Sequence, residues 1–332
     1  MVTAASRRVA LIRAFGYALR RLGLRGNVIT TDLNCLSPGL YFGDRHYIAP
    51  LTTDPGYIPL IKSICIRENV GLLIPTIDDE LPIFGRHRYE FEKMGICVAV
   101  SSESTGHVCN DKYASYYFFK ERGIPFARTW LPEELDRENL KYPLFLKPRS
   151  GRGSVGAFQI KNRGELDFFT GYVPGAVIQE FLTGTEYTID VLADFEGRVI
   201  SVVPRERMVV RSGVSDRGRT FRHSGLIDLA INAAEAMDLR GAANIQVKLE
   251  GDDAVIFEVN PRFSGGIPLT IAAGADFPGW LIEMCLGRDP KPRIGDFTDG
   301  FIMACYEESL FLPSEAIGYD TPANDIIIEE RL

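Results

Sequence analysis

The segment Gly151-Arg152-Gly153-Ser154-Val155-Gly156 constrains this chain more than any other stretch of it. It spells G-x-G-x-x-G, which opens a helix in a dinucleotide-binding βαβ unit. Here the residues that follow, Ala157-Phe158-Gln159-Ile160-Lys161, alternate apolar and polar like a strand, and Leu144–Lys147 before the glycines also reads as a strand. The glycines therefore sit at the tip of a hairpin. In that place they let backbone N–H groups approach an anion, with Arg149 and Arg152 adding charge, so the segment reads as a flap over phosphates. A plain glycine turn is the alternative, and Lys147 immediately before the hairpin favours the flap. A protein kinase also covers ATP with such a hairpin, but no H-R-D or D-F-G follows, and no G-x-x-x-x-G-K-[ST] is present.

A second hairpin carries a different chemistry. Asn244–Leu249 and Ala254–Asn260 read as two antiparallel strands around Glu250-Gly251-Asp252-Asp253, with Gln246 opposite Glu258, Asn244 opposite Asn260 and Val247 opposite Phe257. Gln246, Glu258 and Asn260 then share one face, while Val247, Phe257 and Val259 are expected to face a core. Three hard oxygen donors suit Mg²⁺, with Mn²⁺ as the alternative ion, because such a cation takes few protein ligands and fills its shell from water and phosphate. An exposed polar face is the other reading of this hairpin.

Around these hairpins, residues 1–106 alternate short strands (Val28–Thr31, Tyr47–Ala49, Leu72–Pro75, Cys97–Val100) with helical patterns at Val9–Leu22 and Ile58–Asn69, which predicts a parallel, helix-covered α/β sheet. Its first strand, at Met1-Val2-Thr3, is expected to be short. The chain then changes texture. We expect a lid unit at 107–176 containing the helix Lys112–Arg122 and the glycine hairpin, and a larger α+β unit at 177–332 holding the metal and substrate sites, all packed together without tethers. With Lys+Arg 37 against Asp+Glu 44, a net charge of -7 argues against nucleic acid or an anionic membrane as partner. No apolar run approaches the ~18 residues of a membrane span, and the start lacks a signal-peptide pattern, so the expected location is the cytoplasm. Cys35, Cys65, Cys97, Cys109, Cys285 and Cys305 are scattered and read as buried thiols rather than a disulfide framework or zinc site.

These pieces, in this order, resemble the ATP-grasp superfamily, in particular small single-copy members similar to the carbamoyl-phosphate synthase large chain. The resemblance rests on Asn110-Asp111-Lys112, Pro143–Pro148, Gln179–Tyr187, Asn244-Ile245-Gln246 and Glu258–Phe263, which together span residues 110–263. It implies a pre-grasp α/β domain followed by the two-part ATP-grasp fold. It also implies that Lys112 and Lys147 contact ATP phosphates under a flap formed by Gly151, Gly153, Ser154 and Gly156. Glu180, Phe181 and Leu182 would line the adenine site, Glu186 would hold the ribose hydroxyls, and Gln246, Glu258 and Asn260 would bind Mg²⁺. Arg262, with Lys147, would steady the transferred phosphoryl group.

The implied reaction moves the γ-phosphoryl of ATP to a carboxylate, giving an acyl phosphate that an amine attacks to form an amide. The substrates would be a small carboxylic acid, an amino acid among the candidates, and an amine, and a homodimer is the expected assembly where one forms. A phosphotransferase or carboxylase stopping at the acyl or carboxy phosphate, and a non-catalytic nucleotide-binding regulator, remain as alternatives. A full carbamoyl-phosphate synthase chain has two grasp halves and receives ammonia from a glutaminase, and 332 residues hold one half. On the substrate side, residues 205–222 hold six arginines against Glu206 and Asp216. Arg205, Arg207 and Arg211 are the candidates to grip ATP phosphates or a substrate carboxylate. Gly265 and Gly266 should form a tight turn near the substrate. Asp78 and Glu80, just past the strand at Leu72–Pro75, would meet a substrate ammonium or, equally, serve as first-turn helix acids.

Overall fold

The computed structural model describes residues 1–151, 153, 155–211, 213–314 and 317. In the N-terminal part, Ile29–Asp32 pairs in parallel with Arg45–Ile48, and Leu72–Leu73 with Cys97–Val98. A single residue joins the two pairs: Val2 bridges in parallel to both Thr30 and Ile74. The expected short first strand is therefore reduced to one ladder position, completed by Val2 N donating to Ile29 O (2.8 Å) and Thr3 N to Ile74 O (3.1 Å). Helices Val9–Arg21, Tyr57–Arg67 and Leu81–Lys93 accompany this sheet. The helix Leu81–Lys93 and the following Glu103–Asn110 carried no clear sequence signal, since Gly85 interrupts the first. The reason for that glycine lies in the packing: a Cβ there would come within 2.5 Å of Glu103 N, so only glycine lets the two helices meet.

The remainder builds two antiparallel sheets. The smaller has strands Thr129–Trp130, Ala176–Glu180, Leu144–Pro148 and Phe158–Ile160 in that spatial order. The larger runs Asp253–Asn260, Gly241–Glu250, Thr185–Ala193, Val199–Arg211, Val214–Thr220 and Ile302–Ala304. Leu144 opposite Ile160 and Leu146 opposite Phe158 make the glycine segment a hairpin, as its flanking patterns predict, and not the start of a helix.

Alternation fixes what the larger sheet shows on each side. Ile189, Val191, Ile245 and Val247 are buried against Leu226, Ala230 and Ala233 of the helix Ser224–Ala236. The opposite face carries Glu186, Asp190, Asn244, Gln246 and Glu258, which follows from the pairings Asp190↔Asn244, Glu186↔Lys248 and Gln246↔Glu258. A further apolar cluster draws on both ends of the chain, joining Val2, Leu11 and Phe15 to Phe263, Phe277 and Trp280. The N-terminal sheet is thereby packed onto the larger unit rather than tethered to it. Among the described residues no helix is long and apolar enough to cross a membrane.

Candidate active site

The polar face of the larger sheet and the small sheet enclose a cavity of about 310 Å³, the size range of small-molecule sites. Lys147 reaches into it from the strand Leu144–Pro148. Its side chain is buried, and its ammonium has one long hydrogen bond, 3.5 Å to Phe257 O, with the ring centroids of Phe145 and Phe257 at 5.9 and 5.8 Å. Burial, with Lys112 as a like charge nearby, lowers its pKa to about 8, against the opposing pull of Glu258 and Glu186. A buried cation so poorly satisfied is a place prepared for an anion. Lys112 opens the helix Lys112–Glu121, whose N-cap Asp111 accepts from Tyr113 N and Ala114 N. Its Nζ donates 2.9 Å to Gly151 O, so it holds the flap by its backbone.

Arg149, expected to add charge toward an anion, instead donates Nε to both oxygens of Asp111 (2.9 and 2.8 Å) and braces the base of the hairpin. Gly151, Gly153 and Gly156 have φ of 131°, 69° and 71°, left-handed values that favour glycine at each place. Gly153 meets a second tip, because a Cβ on Gly213 would lie 3.1 Å from its Cα. Arg152 and Ser154 lie outside the described residues.

Glu180, Phe181, Leu182 and Glu186 all line the same cavity. The Glu180 carboxylate turns away to accept from Arg128 N (2.8 Å) and Arg128 Nε (3.1 Å). Glu186 is paired with Arg207 Nη1 (2.7 Å) and Lys248 Nζ (3.3 Å). In the second hairpin Gln246 faces Glu258 and Asn244 faces Asn260 as expected. Past that point the register shifts, so that Val247 pairs with Ile256 and Phe257 is the extra residue of a bulge. Phe257 consequently lines the cavity instead of the core assigned to it, and becomes the wall beside Lys147.

Glu258 Oε1 accepts from Asn260 Nδ2 (3.0 Å), Asn260 Oδ1 accepts from Arg262 Nη2 (3.2 Å), and Gln246 Oε1 accepts from Arg207 Nη1 (3.3 Å). Among the described residues no group of three or more His, Cys, Asp or Glu is placed to hold a metal. One carboxylate flanked by two amide oxygens still fits a hard cation that completes its shell from phosphate and water, which is how Mg²⁺ is held.

The substrate-side expectations need correction. Glu80 is 1% exposed, accepts from Thr3 Oγ1 (2.9 Å), Thr76 N (3.3 Å) and the Tyr57 hydroxyl, and is pushed up to about 7 by burial, so it is a core group out of reach of a ligand. Asp78 grips Arg262 with both oxygens (Nε 2.8 Å, Nη2 2.9 Å) and so orients an arginine rather than standing open to an ammonium. Arg205 is 1% exposed and spends its charge on Asp190, away from the cavity wall. The bulges after Arg207 break the alternation, leaving Arg207 in the cavity and Arg211 exposed on Glu307 (3.0 Å). At Gly265 and Gly266 a Cβ would strike Val214 (2.6 Å) and Arg205 (2.4 Å), so these glycines serve internal packing.

Sequence reasoning missed several contributors. Phe145, Gln179 and Lys248 line the cavity, and Phe145 and Lys248 carried a signal, standing two residues from Lys147 and Gln246 on the same strand face. Arg8 left no such signal. Its guanidinium ties Phe263 O (2.9 Å) and Ser264 O (3.0 Å) to Thr76 O (2.9 Å), fastening the segment after Arg262 to the segment before Asp78.

Residues 173–308 match the family described as ATP-grasp in the biosynthetic pathway with Ter operon, and residues 1–99 match the PylC-like N-terminal domain. The arginine-specific carbamoyl phosphate synthase large chain of Bacillus subtilis is 24% identical over 271 residues, 76% of this chain and 25% of that protein. The chain thus spans about a quarter of the length of such relatives. In fold it resembles the L-amino acid ligase of Bacillus licheniformis (TM-score 0.67, 18% identity, 90% of this chain and 77% of that one). It also resembles the biotin carboxylase domain dimer of Hydrogenobacter thermophilus 2-oxoglutarate carboxylase, solved with MgADP, ADP and bicarbonate (TM-score 0.69, 17% identity, 91% and 72%). The chain thus carries an ATP-grasp family domain over residues 173–308 and a PylC-like N-terminal domain over residues 1–99, and it is homologous to the carbamoyl phosphate synthase large chain.

Proposed function

We propose that this chain is an ADP-forming, Mg-ATP-dependent ligase that activates a small carboxylate as an acyl phosphate and transfers the acyl group to an amine. The observation that carries the reading is the buried, poorly satisfied ammonium of Lys147 beside Glu258, under a glycine hairpin. The resemblance to an L-amino acid ligase and to a carboxylase domain solved with MgADP and bicarbonate supports the same reaction class. The domain of that carboxylase is a dimer, which supports a homodimer here, and the free cysteines fit a reducing, cytoplasmic setting.

In this reading Gln246, Glu258 and Asn260 hold Mg²⁺, which when bound neutralises phosphate charge. Lys147 and Lys112 set the polyphosphate chain, Phe181 and Leu182 pack the base, and Glu186 takes the ribose hydroxyls. Arg262, aimed by Asp78, meets the transferring phosphoryl group as charge develops on its oxygens. The flap keeps water from the acyl phosphate until the amine attacks its carbonyl and phosphate leaves.

The bookkeeping of oxygen tests this. A carboxylate labelled with ¹⁸O becomes the bridging oxygen of the acyl phosphate, so released phosphate should carry the label and the nucleotide product should be ADP. The carboxylate is found first by screening pools of small acids and amines for phosphate release. AMP and pyrophosphate would indicate an adenylate, and unlabelled phosphate would indicate bare ATP hydrolysis. Either result would overturn the proposed reaction.

Lys147 also gives nucleotide binding a pH signature. Its pKa near 8 in the free protein rises when a phosphate binds beside it, since the anion favours the charged form. Affinity for Mg-ADP should therefore be level below about pH 8 and fall above it, by up to about tenfold per pH unit. Titration calorimetry from about pH 7 to 9.5 reads the slope, and a dissociation constant that stays flat would remove Lys147 from the phosphate site.

A further inference from the structure

Outside the cavity lining, two thiols far apart in sequence meet at one carbonyl. Cys97 opens its strand of the N-terminal sheet, Cys285 ends the helix Phe277–Cys285, and they are 188 residues apart in sequence. Gly71 O accepts from both Cys97 N (2.8 Å) and Cys285 Sγ (3.1 Å), while Cys97 Sγ donates to Cys285 O (3.9 Å), so each thiol hydrogen-bonds backbone beside the other. Both are half-buried, within reach of a small oxidant, whereas Cys65 and Cys109 are buried and Cys305 is exposed. This also corrects the expectation of six buried thiols.

We propose that Cys97 and Cys285 form a reversible disulfide that staples the N-terminal sheet to the helix Phe277–Cys285. The inference does not depend on the reaction assigned to the cavity. The chemistry of the pair is asymmetric in the way thiol exchange requires. The neighbouring Cys97 brings the Cys285 thiol down to about 7, and Cys285 in turn holds the Cys97 thiol up. Cys285 is then the more readily ionised of the two thiols and the attacking group.

A low-molecular-weight disulfide is the oxidant. The Cys285 thiolate attacks one of its sulfurs, forming a mixed disulfide and expelling one small thiolate. Cys97 then loses its proton and attacks the Cys285 sulfur, forming the intrachain bond and releasing the second small thiol. Two protein thiols are oxidised and one small disulfide is reduced to two thiols.

The location gives the bond a mechanical meaning. Gly71 and the start of Cys97–Val98 lie at the amino end of the parallel strands, and Thr76 and Asp78 lie past the carboxyl end, where Asp78 meets Arg262. The thiol pair and the Asp78–Arg262 pair thus pin opposite ends of one boundary. A covalent bond at the first end restricts how the N-terminal sheet moves relative to the arginine at the second.

The test equilibrates the reduced full-length chain with glutathione buffers of increasing oxidised fraction, quenches by alkylation, and maps peptides by mass spectrometry. The expected product is a Cys97–Cys285 linked peptide, lighter by two hydrogens, reversed by dithiothreitol. The oxidised protein should melt about 5 °C or more higher, as a bond closing so long a loop implies. Cys97→Ser should abolish both effects and leave glutathione on Cys285, and Cys285→Ser should abolish both without that adduct. Glutathione on exposed Cys305 with no Cys97–Cys285 link would overturn the proposal. So would a link that leaves the melting temperature unchanged.

Discussion

Glu258→Gln is expected to lower ATP turnover by at least about 100-fold while leaving the fold intact, because a group that stabilises charge in the transition state is usually worth that much. The substitution preserves volume and spares the sheet. Glu258 pairs with Gln246 through backbone, and the amide oxygen of a glutamine can still accept from Asn260 Nδ2, now 3.0 Å from Oε1. What is lost is the single carboxylate between Gln246 and Asn260, and with it the charge proposed to draw a divalent cation to oxygens otherwise supplied by amides. Lys147 feels the loss as well. Glu258 raises its pKa, so neutralising the acid should move it below about 8 and shift the pH profile of Mg-ADP binding downward. Phosphate release and thermal melting are the two readouts. Turnover within about twofold of the parent, with unchanged melting, would remove Glu258 from the site.

The parts of this site that were legible in the sequence depend on short-range rules. A strand pattern on both sides of Gly151–Gly156 could only be a hairpin, and period-two pairing placed Gln246 against Glu258 and Asn244 against Asn260. The same rule failed one residue further on. A bulge after Gln246 has no sequence mark here, and it turned Phe257 from core to cavity wall. The arginine series failed likewise, since bulges after Arg207 sent Arg211 to the surface.

Long-range contacts were illegible for another reason. Asp78 past the end of a strand looks the same to a sequence reader whether it awaits a ligand or an arginine 184 residues away, and the structure supplies the arginine. Glu80 beside it points the other way, into Thr3 and Tyr57, because a short 3₁₀ turn at Asp78–Glu80 separates their directions. Gly265 and Gly266 invited a ligand reading on composition alone. Their partners, Val214 and Arg205, come from a strand pair far upstream that no local pattern connects to them.

Asp190→Leu is expected to destabilise the protein by about 3–5 kcal/mol, the range for removing one partner of a buried ion pair. Asp190 is 0% exposed and accepts from Arg205 Nε (2.7 Å) and Nη2 (3.2 Å), with Thr270 Oγ1 on the same carboxylate. Without it the Arg205 guanidinium keeps Ser264 Oγ at 2.9 Å, while Nη1 already lacks a partner and the Gly266 backbone closes over it. A buried charge in that position has no route to water. The penalty therefore belongs to the stranded cation rather than to the attraction lost, and that distinction is measurable. Joining Arg205→Met to Asp190→Leu removes both charges and should recover most of the stability in urea unfolding, leaving a coupling of several kcal/mol. A single variant that loses less than about 1 kcal/mol would show that the pair is not dry. The same cycle separates the two arginines that alternation had grouped together. Adding Arg205→Met to the Asp190→Leu variant should change Mg-ADP affinity by less than about twofold, because neither side chain reaches the cavity. Arg207→Met, which frees Glu186 and bares Gln246 in the cavity, should weaken it about tenfold, the worth of one charge-assisted contact. Equal effects from the two would return Arg205 to the nucleotide site, against its burial.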